Sequence, residues 1–445
     1  MRGFAGFLSL LLAGCASSWG DDYDRLWSEV KSLPVRAELP PEAGSVSFDD
    51  AREVDLETLL RIARERNPEL REGVSRTRAA LAGVRRAGAW DDPMLVLKTE
   101  GTPLRQPTSF NRAMENSLGL QQAIPFPGNL GLRSEAAVRE AESLHETYRM
   151  RERDVLARVT KAYFEYWALE RELETHLEHI RLLEEFERVS EARFRTGAVS
   201  QQDVLKPQVE LVTLQNEVLG TRQRIDSARA ALNALLGRPA AAPFGKPKEP
   251  AAPSDLIDAQ ALSARALEVN PDIRAAQFRI RAVKTQLQLA EREAVLPDFG
   301  VGVDYMQIPG ESDAWAGMLS INLPWLTGKR RAEVRRLEET LRAEEAALET
   351  VRTRVLFEVR DAASRVEAAR KSLVLFEGEL LPKSGQSVEV SRSSYEKGTT
   401  SFLDLLDAER SRRDVRLRSY QARAQYASAL ADLERAAGED ARRKE

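Results

Sequence analysis

Cysteine is almost absent from this 445-residue chain, with Cys15 the only one. Disulfides are therefore excluded, and a catalytic thiol has no candidate beyond the N-terminus. Histidine is scarce too, limited to His145, His176 and His179. The six methionines are scattered, so no thioether cluster for a soft metal exists. Aromatics make up only 6% of the chain against 31% charged residues, too few for one large globular core and suited to long helices with solvated faces. Positive charge is not in excess: the net charge of −4 argues against a nucleic-acid partner. After residue 15 no run of about 18 apolar residues occurs, so no membrane-spanning helix is expected. Neither glycine nor proline falls between Leu132 and Thr196. No phosphate loop, nucleotide motif or catalytic constellation is present, and the chain reads as a non-enzyme with no cofactor and no metal.

What is there is a repeat. Phe194-Arg195-Thr196-Gly197-Ala198-Val199-Ser200-Gln201-Gln202-Asp203-Val204-Leu205 returns as Tyr395-Glu396-Lys397-Gly398-Thr399-Thr400-Ser401-Phe402-Leu403-Asp404-Leu405-Leu406, with Gly197 and Gly398 201 positions apart. Each copy reads as a tight turn between two helices. Glycine ends the first in a left-handed conformation, and serine caps the second with Asp in capping-box spacing. Asn67-Pro68-Glu69-Leu70 returns as Asn270-Pro271-Asp272-Ile273, and Leu235-Leu236-Gly237 is echoed by Ala436-Ala437-Gly438. Most of the chain is thus two similar halves, 51–254 and 255–438, before a charged tail at 439–445.

Residues 1–14 form a signal peptide, with Arg2, an apolar run from Phe4 to Leu12, and Leu12-Ala13-Gly14-Cys15 at its end. The end resembles the bacterial lipobox, which implies that Cys15 is lipidated; an ordinary signal peptide with an incidental Cys is the plainer alternative. Ala16 stands where such lipoproteins carry Asp for inner-membrane retention, which implies export to the outer membrane. Residues 15–50, with Pro34, Pro40 and Pro41, read as an extended tether.

Helices are expected at 55–66 and 67–89, and strands at 94–100 and 116–124. In the second half Phe299, Val301, Val303 and Tyr305 alternate with Gly300, Gly302 and Asp304, and a matching run spans Trp315 to Leu323. One apolar face is expected, as in a membrane strand or equally in a half-buried soluble hairpin. In the glycine-free stretch Val155, Val159, Ala162, Tyr166, Leu169 and Leu173 follow coiled-coil spacing, in a helix about 100 Å long. Its counterpart from Lys329 to Lys397 is disturbed by Gly378, Pro382 and Gly385. His176 and His179 share a helix face that could hold a metal, but solvated positions on a charged helix are the preferred reading.

The twin Gly-x-x-Ser-x-x-Asp-aliphatic-Leu turns, together with these helices and hairpins, resemble the TolC-type outer-membrane efflux proteins over nearly all of residues 50–438. The resemblance implies a mainly α fold with a small β part. A trimeric periplasmic α-barrel of long coiled-coil helices would carry a twelve-stranded outer-membrane barrel, four strands per chain. Four strands cannot close alone, since about eight is the minimum, and lipid tolerates no open edge. The function implied is the exit duct of a tripartite efflux pump. The partners are a homotrimer, a periplasmic adaptor, an inner-membrane pump of the resistance-nodulation-division type, and outer-membrane lipid. Gln121-Gln122-Ala123-Ile124-Pro125-Phe126-Pro127-Gly128 with Leu130 and Arg133 resembles the heavy-metal branch. The outer-membrane component of type I secretion, a pore-free periplasm-spanning lipoprotein, and a substrate-binding lipoprotein are the alternatives. The resemblance assigns Gly197, Ser200, Gly398 and Ser401 to an adaptor-docking tip. It assigns Asp404 and Asp407 to an acidic ring at the pore gate, and Tyr395 with Asp203 to an interhelical gate link. Thr400 stands where a further family link uses Arg.

Overall fold

The computed structural model describes residues 19–33, 53–101, 113–197, 199–249, 258–308, 310–397 and 399–438. Cys15, Gly398, the prolines at 34, 40 and 41, and the tail at 439–445 lie outside them. The elements run α1 (Trp19–Ser32), α2 (Leu56–Arg66), α3 (Pro68–Ala87), β1 (Met94–Glu100), β2 (Glu115–Ile124), α4 (Asn129–Arg195), α5 (Gln201–Leu235), α6 (Ala259–Val269) and α7 (Pro271–Val295). They continue as β3 (Phe299–Gln307), β4 (Ala314–Ile321), α8 (Lys329–Leu375), a π-helical turn (Phe376–Leu380), α9 (Leu381–Glu396) and α10 (Phe402–Ala437). Two compact units result, 1–33 with 73–147 and 272–351, and 34–72 with 148–271 and 352–445. Each draws on both sequence repeats.

In the first unit the strands form one antiparallel sheet in the order β1-β2-β3-β4. Its register aligns Leu97, Leu118, Tyr305 and Trp315 across all four strands, and likewise Leu95, Leu120 and Val303. One face is therefore continuously apolar, and it is exposed: Leu97 keeps 75% and Trp315 73% of its surface. The opposite face carries Lys98, Ser117, Gln121 and Asp304, with Lys98 paired to Glu100. A soluble hairpin would bury its apolar side, so this inversion belongs to a sheet whose solvent on that side is lipid. β2 has 10 residues and β3 has 9, the length of a tilted membrane strand. Tyr305 and Trp315 pair at one strand end, ring centroids 5.2 Å apart, and Phe126 meets Phe299 at the other, 6.4 Å apart. Aromatics at both ends of an apolar band match the girdles of membrane barrels. Among the described residues no helix is long and apolar enough to cross a membrane.

The stretch read as an extended tether contains a helix. α1 buries Tyr23, Leu26 and Val30, three and four residues apart on one face. An ion pair between Asp22 and Arg139 (2.8 Å) and a hydrogen bond between His145 and Glu29 (3.0 Å) fix its sides. Arg78 donates to the carbonyls of Val30, Lys31 and Leu33, the groups a helix end leaves unpaired. The three prolines that suggested extension all lie beyond Ser32, so they never bore on this segment.

In the second unit the coiled-coil seam on α4 is buried: Val155, Val159 and Tyr166 are fully enclosed. Tyr163 donates its hydroxyl to the carbonyls of Val54 and Lys248, and Tyr166 to that of Gly245. These bonds pin the segment after α5, and Val54 ahead of α2, to the long helix. The repeated Asn-Pro pairs serve one purpose. Asn67 accepts from the amides of Glu69 and Leu70 and donates to the Leu235 carbonyl at the end of α5 (2.8 Å). Asn270 donates likewise to Ala436 at the end of α10 (2.9 Å). Gly237, at φ +65°, lets the backbone approach: a Cβ there would lie 2.7 Å from the Arg66 carbonyl. The expected disturbance at Gly378 and Pro382 is present as the π-helical turn.

Candidate functional site

The second unit contains both repeated turns, and the structure shows what the serines and aspartates do locally. At the start of α5 Asp203 Oδ2 accepts from the Ser200 amide (2.9 Å) and hydroxyl (2.7 Å). At the start of α10 Asp404 Oδ2 accepts from the Ser401 amide (3.0 Å) and hydroxyl (2.7 Å). The Ser401 hydroxyl, then its amide, hold the Asp404 carboxyl below its ordinary pKa. Gly197 adopts φ +74°, and a Cβ there would meet nothing within 4 Å. The turn is bare.

Above the turns lies a small apolar core of Leu183, Leu214 and Leu406. Phe402 joins it, edge-on to Phe186 (5.2 Å) and tilted against Tyr395 (5.7 Å). Tyr395 is not joined to Asp203 within the chain. Its hydroxyl accepts from Arg193 (2.7 Å), whose guanidinium also sits 4.7 Å over its ring, while Asp203 is engaged by Ser200. Sequence reasoning missed Arg193. The available signal was a mismatch between the repeats, since Arg193 aligns with Ser394 at the same 201-residue offset.

Asp404 and Asp407 are both exposed on one face of α10, and that exposed stripe continues through Ser411, Asp414, Arg418, Gln421 and Gln425. The opposite face buries Phe402, Leu405, Leu406 and Ala408. A stripe hydrophilic over six turns is fit to meet water rather than a neighbouring core. α5 presents the reverse. Leu205, Val209, Val212 and Leu219 are exposed at spacings of four, three and seven, the pattern of a coiled-coil seam with no partner among the described residues.

The histidines require a correction. His176 and His179 are not solvated but 3% and 6% exposed. His176 continues the seam seven residues after Leu169, so its face packs inward despite the charged sequence around it. Its Nε2 lies 3.4 Å from Glu172, and Nδ1 3.9 Å from Glu217. Burial opposes ionisation of Glu172, but bonds from His176, Thr221 and Arg224 outweigh it and take the carboxyl to about 2. Burial, reinforced by Arg413, pushes His179 down to about 4. Among the described residues no group of three or more His, Cys, Asp or Glu could hold a metal ion.

The model of the outer membrane efflux proteins matches residues 59–238 and again 262–439, one match for each repeat. The chain belongs to the outer membrane efflux protein family. Outer membrane protein OprJ of Pseudomonas aeruginosa is 26% identical over 97% of this chain and 94% of its own length. The pyoverdine export outer membrane protein OpmQ of Pseudomonas putida is 23% identical over 80% of each chain. In structure, the outer-membrane channel OprN superposes with a TM-score of 0.72 at 20% identity, covering 91% of this chain and 98% of that one.

This efflux protein is thus the outer-membrane component of tripartite efflux, with helical-barrel and β-barrel parts. Its family is one of transport channels, and its four-stranded sheet is the outer-membrane portion.

Proposed function

We propose that three copies of this chain assemble into one exit duct. The duct is anchored by a lipidated Cys15 and receives small toxic compounds or metal ions from a periplasmic adaptor and a resistance-nodulation-division pump. The sheet carries this reading. Strands β1 and β4 each leave one edge open, and the apolar face is already turned outward. In hydrocarbon an unpaired edge is intolerable, so other copies must supply the missing strands, and three copies give an even-numbered barrel of twelve. The unpartnered seam on α5 supports the same assembly. In this arrangement Gly197, Ser200, Gly398 and Ser401 form the adaptor-docking tip. Asp404 and Asp407 line the gate, and the polar stripe of α10 faces the water-filled lumen. Tyr395 is held by Arg193 within the chain and meets Asp203 only across helices of the assembled trimer.

The test is light scattering and mass spectrometry on one detergent-purified preparation. A particle of three times the 49.8 kDa chain, less the signal peptide, and a mature N-terminus at diacylglyceryl-modified Cys15 are expected. A stable monomer would defeat the assembly, and an unmodified N-terminus the anchor.

A further inference from the structure

One cavity in the second unit has no part in the duct as described. It measures about 200 Å³ and lies among α4, α9 and α10. Four arginines reach it: Arg392 from α9, and Arg412, Arg413 and Arg416 from α10. Two carboxylates also line it, Glu178 and Glu409, and both are engaged, Glu178 by Arg416 (2.6 Å) and Glu409 by Arg392 (3.2 Å). Arg413 is held by Asp414 through Nε (3.3 Å) and Nη2 (3.2 Å) and by Glu210 through Nη1 (3.5 Å). Arg412 makes no ion pair among the described residues. The lining therefore holds two more cations than anions.

A second observation points the same way. His179 also lines the cavity, is more than nine-tenths buried, and its Nε2 has no hydrogen-bond partner. Buried polar nitrogens are ordinarily paired, and an orphan in a cavity wall marks where a partner is missing.

We propose that this cavity is a binding site for a small free oxyanion of the phosphate class. Guanidinium forks recognise tetrahedral oxyanions by paired hydrogen bonds; Arg412 brings a fork without an ion pair, and Arg416, four residues on, shares its helix face while its Nη1 holds Glu178 and its Nε holds Tyr420. The size selects the ligand. Pockets for drug-sized molecules run to about 300–1,000 Å³, so this one suits an ion with its waters and not organic cargo. The arginines also make their mark on His179, whose proton affinity is lowered by burial and then by Arg413, the signature of a positive field. A bound anion bridges α9 and α10 to α4 and braces the helices above the two turns.

The experiment is a thermal-shift titration of the full-length, detergent-purified protein with inorganic phosphate, against sodium chloride at equal ionic strength. A ligand that binds only the folded state raises Tm saturably. Saturation with phosphate and none with chloride is expected. Arg412→Gln, at an exposed and unpaired position, keeps the fold and should weaken the midpoint by about tenfold, the worth of one charge-assisted bond. His179→Gln, which keeps a polar group in the wall, should weaken it less. Glycerol 3-phosphate distinguishes a free ion from a lipid headgroup, and binding no tighter than inorganic phosphate is expected. A response to phosphate that only tracks ionic strength, an unchanged midpoint in Arg412→Gln, or saturation by the ester alone would each overturn the site. None of these readouts depends on efflux.

Discussion

Asn67 and Asn270 do at residue scale what the repeat does for the whole chain. Each closes a helix end with its side-chain amide, and Asn67 also opens α3. Asn67→Ala removes an N-cap for α3 and also leaves the half-buried Leu235 carbonyl without its donor. Loss of a cap and of a half-buried partner together costs about 1–3 kcal/mol. Asn270→Ala removes the donor to the Ala436 carbonyl and should also lower Tm, which thermal unfolding of the two variants checks. The charged residues around His176 and His179 set the acid limit. The folded Glu172 carboxyl titrates near 2 instead of about 4.5, so its stabilisation is complete above the unfolded value and is lost as pH falls toward 2. His179 is neutral when folded down to about 4, and its unfolded imidazole takes a proton from about 6.5, so stability also drains between those values as pH falls. Thermal scans should show a Tm that declines from pH 7 to pH 4, and His179→Gln should flatten that upper limb. An unchanged slope would remove His179 from the account.

Among the elements, the turn between α4 and α5 separates a structural glycine from a docking glycine. Gly197 holds a left-handed backbone, which costs an ordinary residue about 1–2 kcal/mol. Yet a side chain there would enter open space. Gly197→Trp should therefore cost only that backbone strain, about 1–2 kcal/mol per chain, leave an assembled trimer and still abolish efflux, because the indole blocks an incoming partner and not the chain's own packing. Drug susceptibility combined with native gels checks this, and intact efflux from the variant would end the docking role. Elements of this kind were legible in the sequence because their signals are local. The two strands of the second half showed a period of two, and α4 showed a glycine-free seam. What sequence could not show depended on packing. The metal-or-solvent question at His176 was settled only by α5 lying over that face. α1 was hidden behind prolines that belong to the next segment. Arg193 reaches Tyr395 across 202 positions, a distance no local pattern reports.

For the whole molecule, the question is which charge the lumen presents. In one chain Asp404 is stabilised as an anion by Ser401, and Asp407, one turn on, is equally exposed. A threefold assembly with α10 facing the lumen would bring six carboxylates around one axis. Their mutual repulsion would oppose the Ser401 bonds, and the balance would be relieved by bound cations. The trimer in a planar bilayer should accordingly prefer cations and be blocked by multivalent cations added on the periplasmic side. Asp404→Ala alone is an ambiguous test, since it also removes the partner of the Ser401 amide and weakens the start of α10. Asp404→Asn keeps much of that bond while removing the charge, so Asp404→Asn with Asp407→Asn isolates the electrostatic effect. This double variant should lose the block and much of the cation preference while its Tm stays near that of the parent. Asp407→Asn alone should retain part of both. If the double variant remains blocked as strongly as the parent, the ring is elsewhere on the α10 stripe, and Asp414, two turns further along the same exposed face, is the next carboxylate to remove.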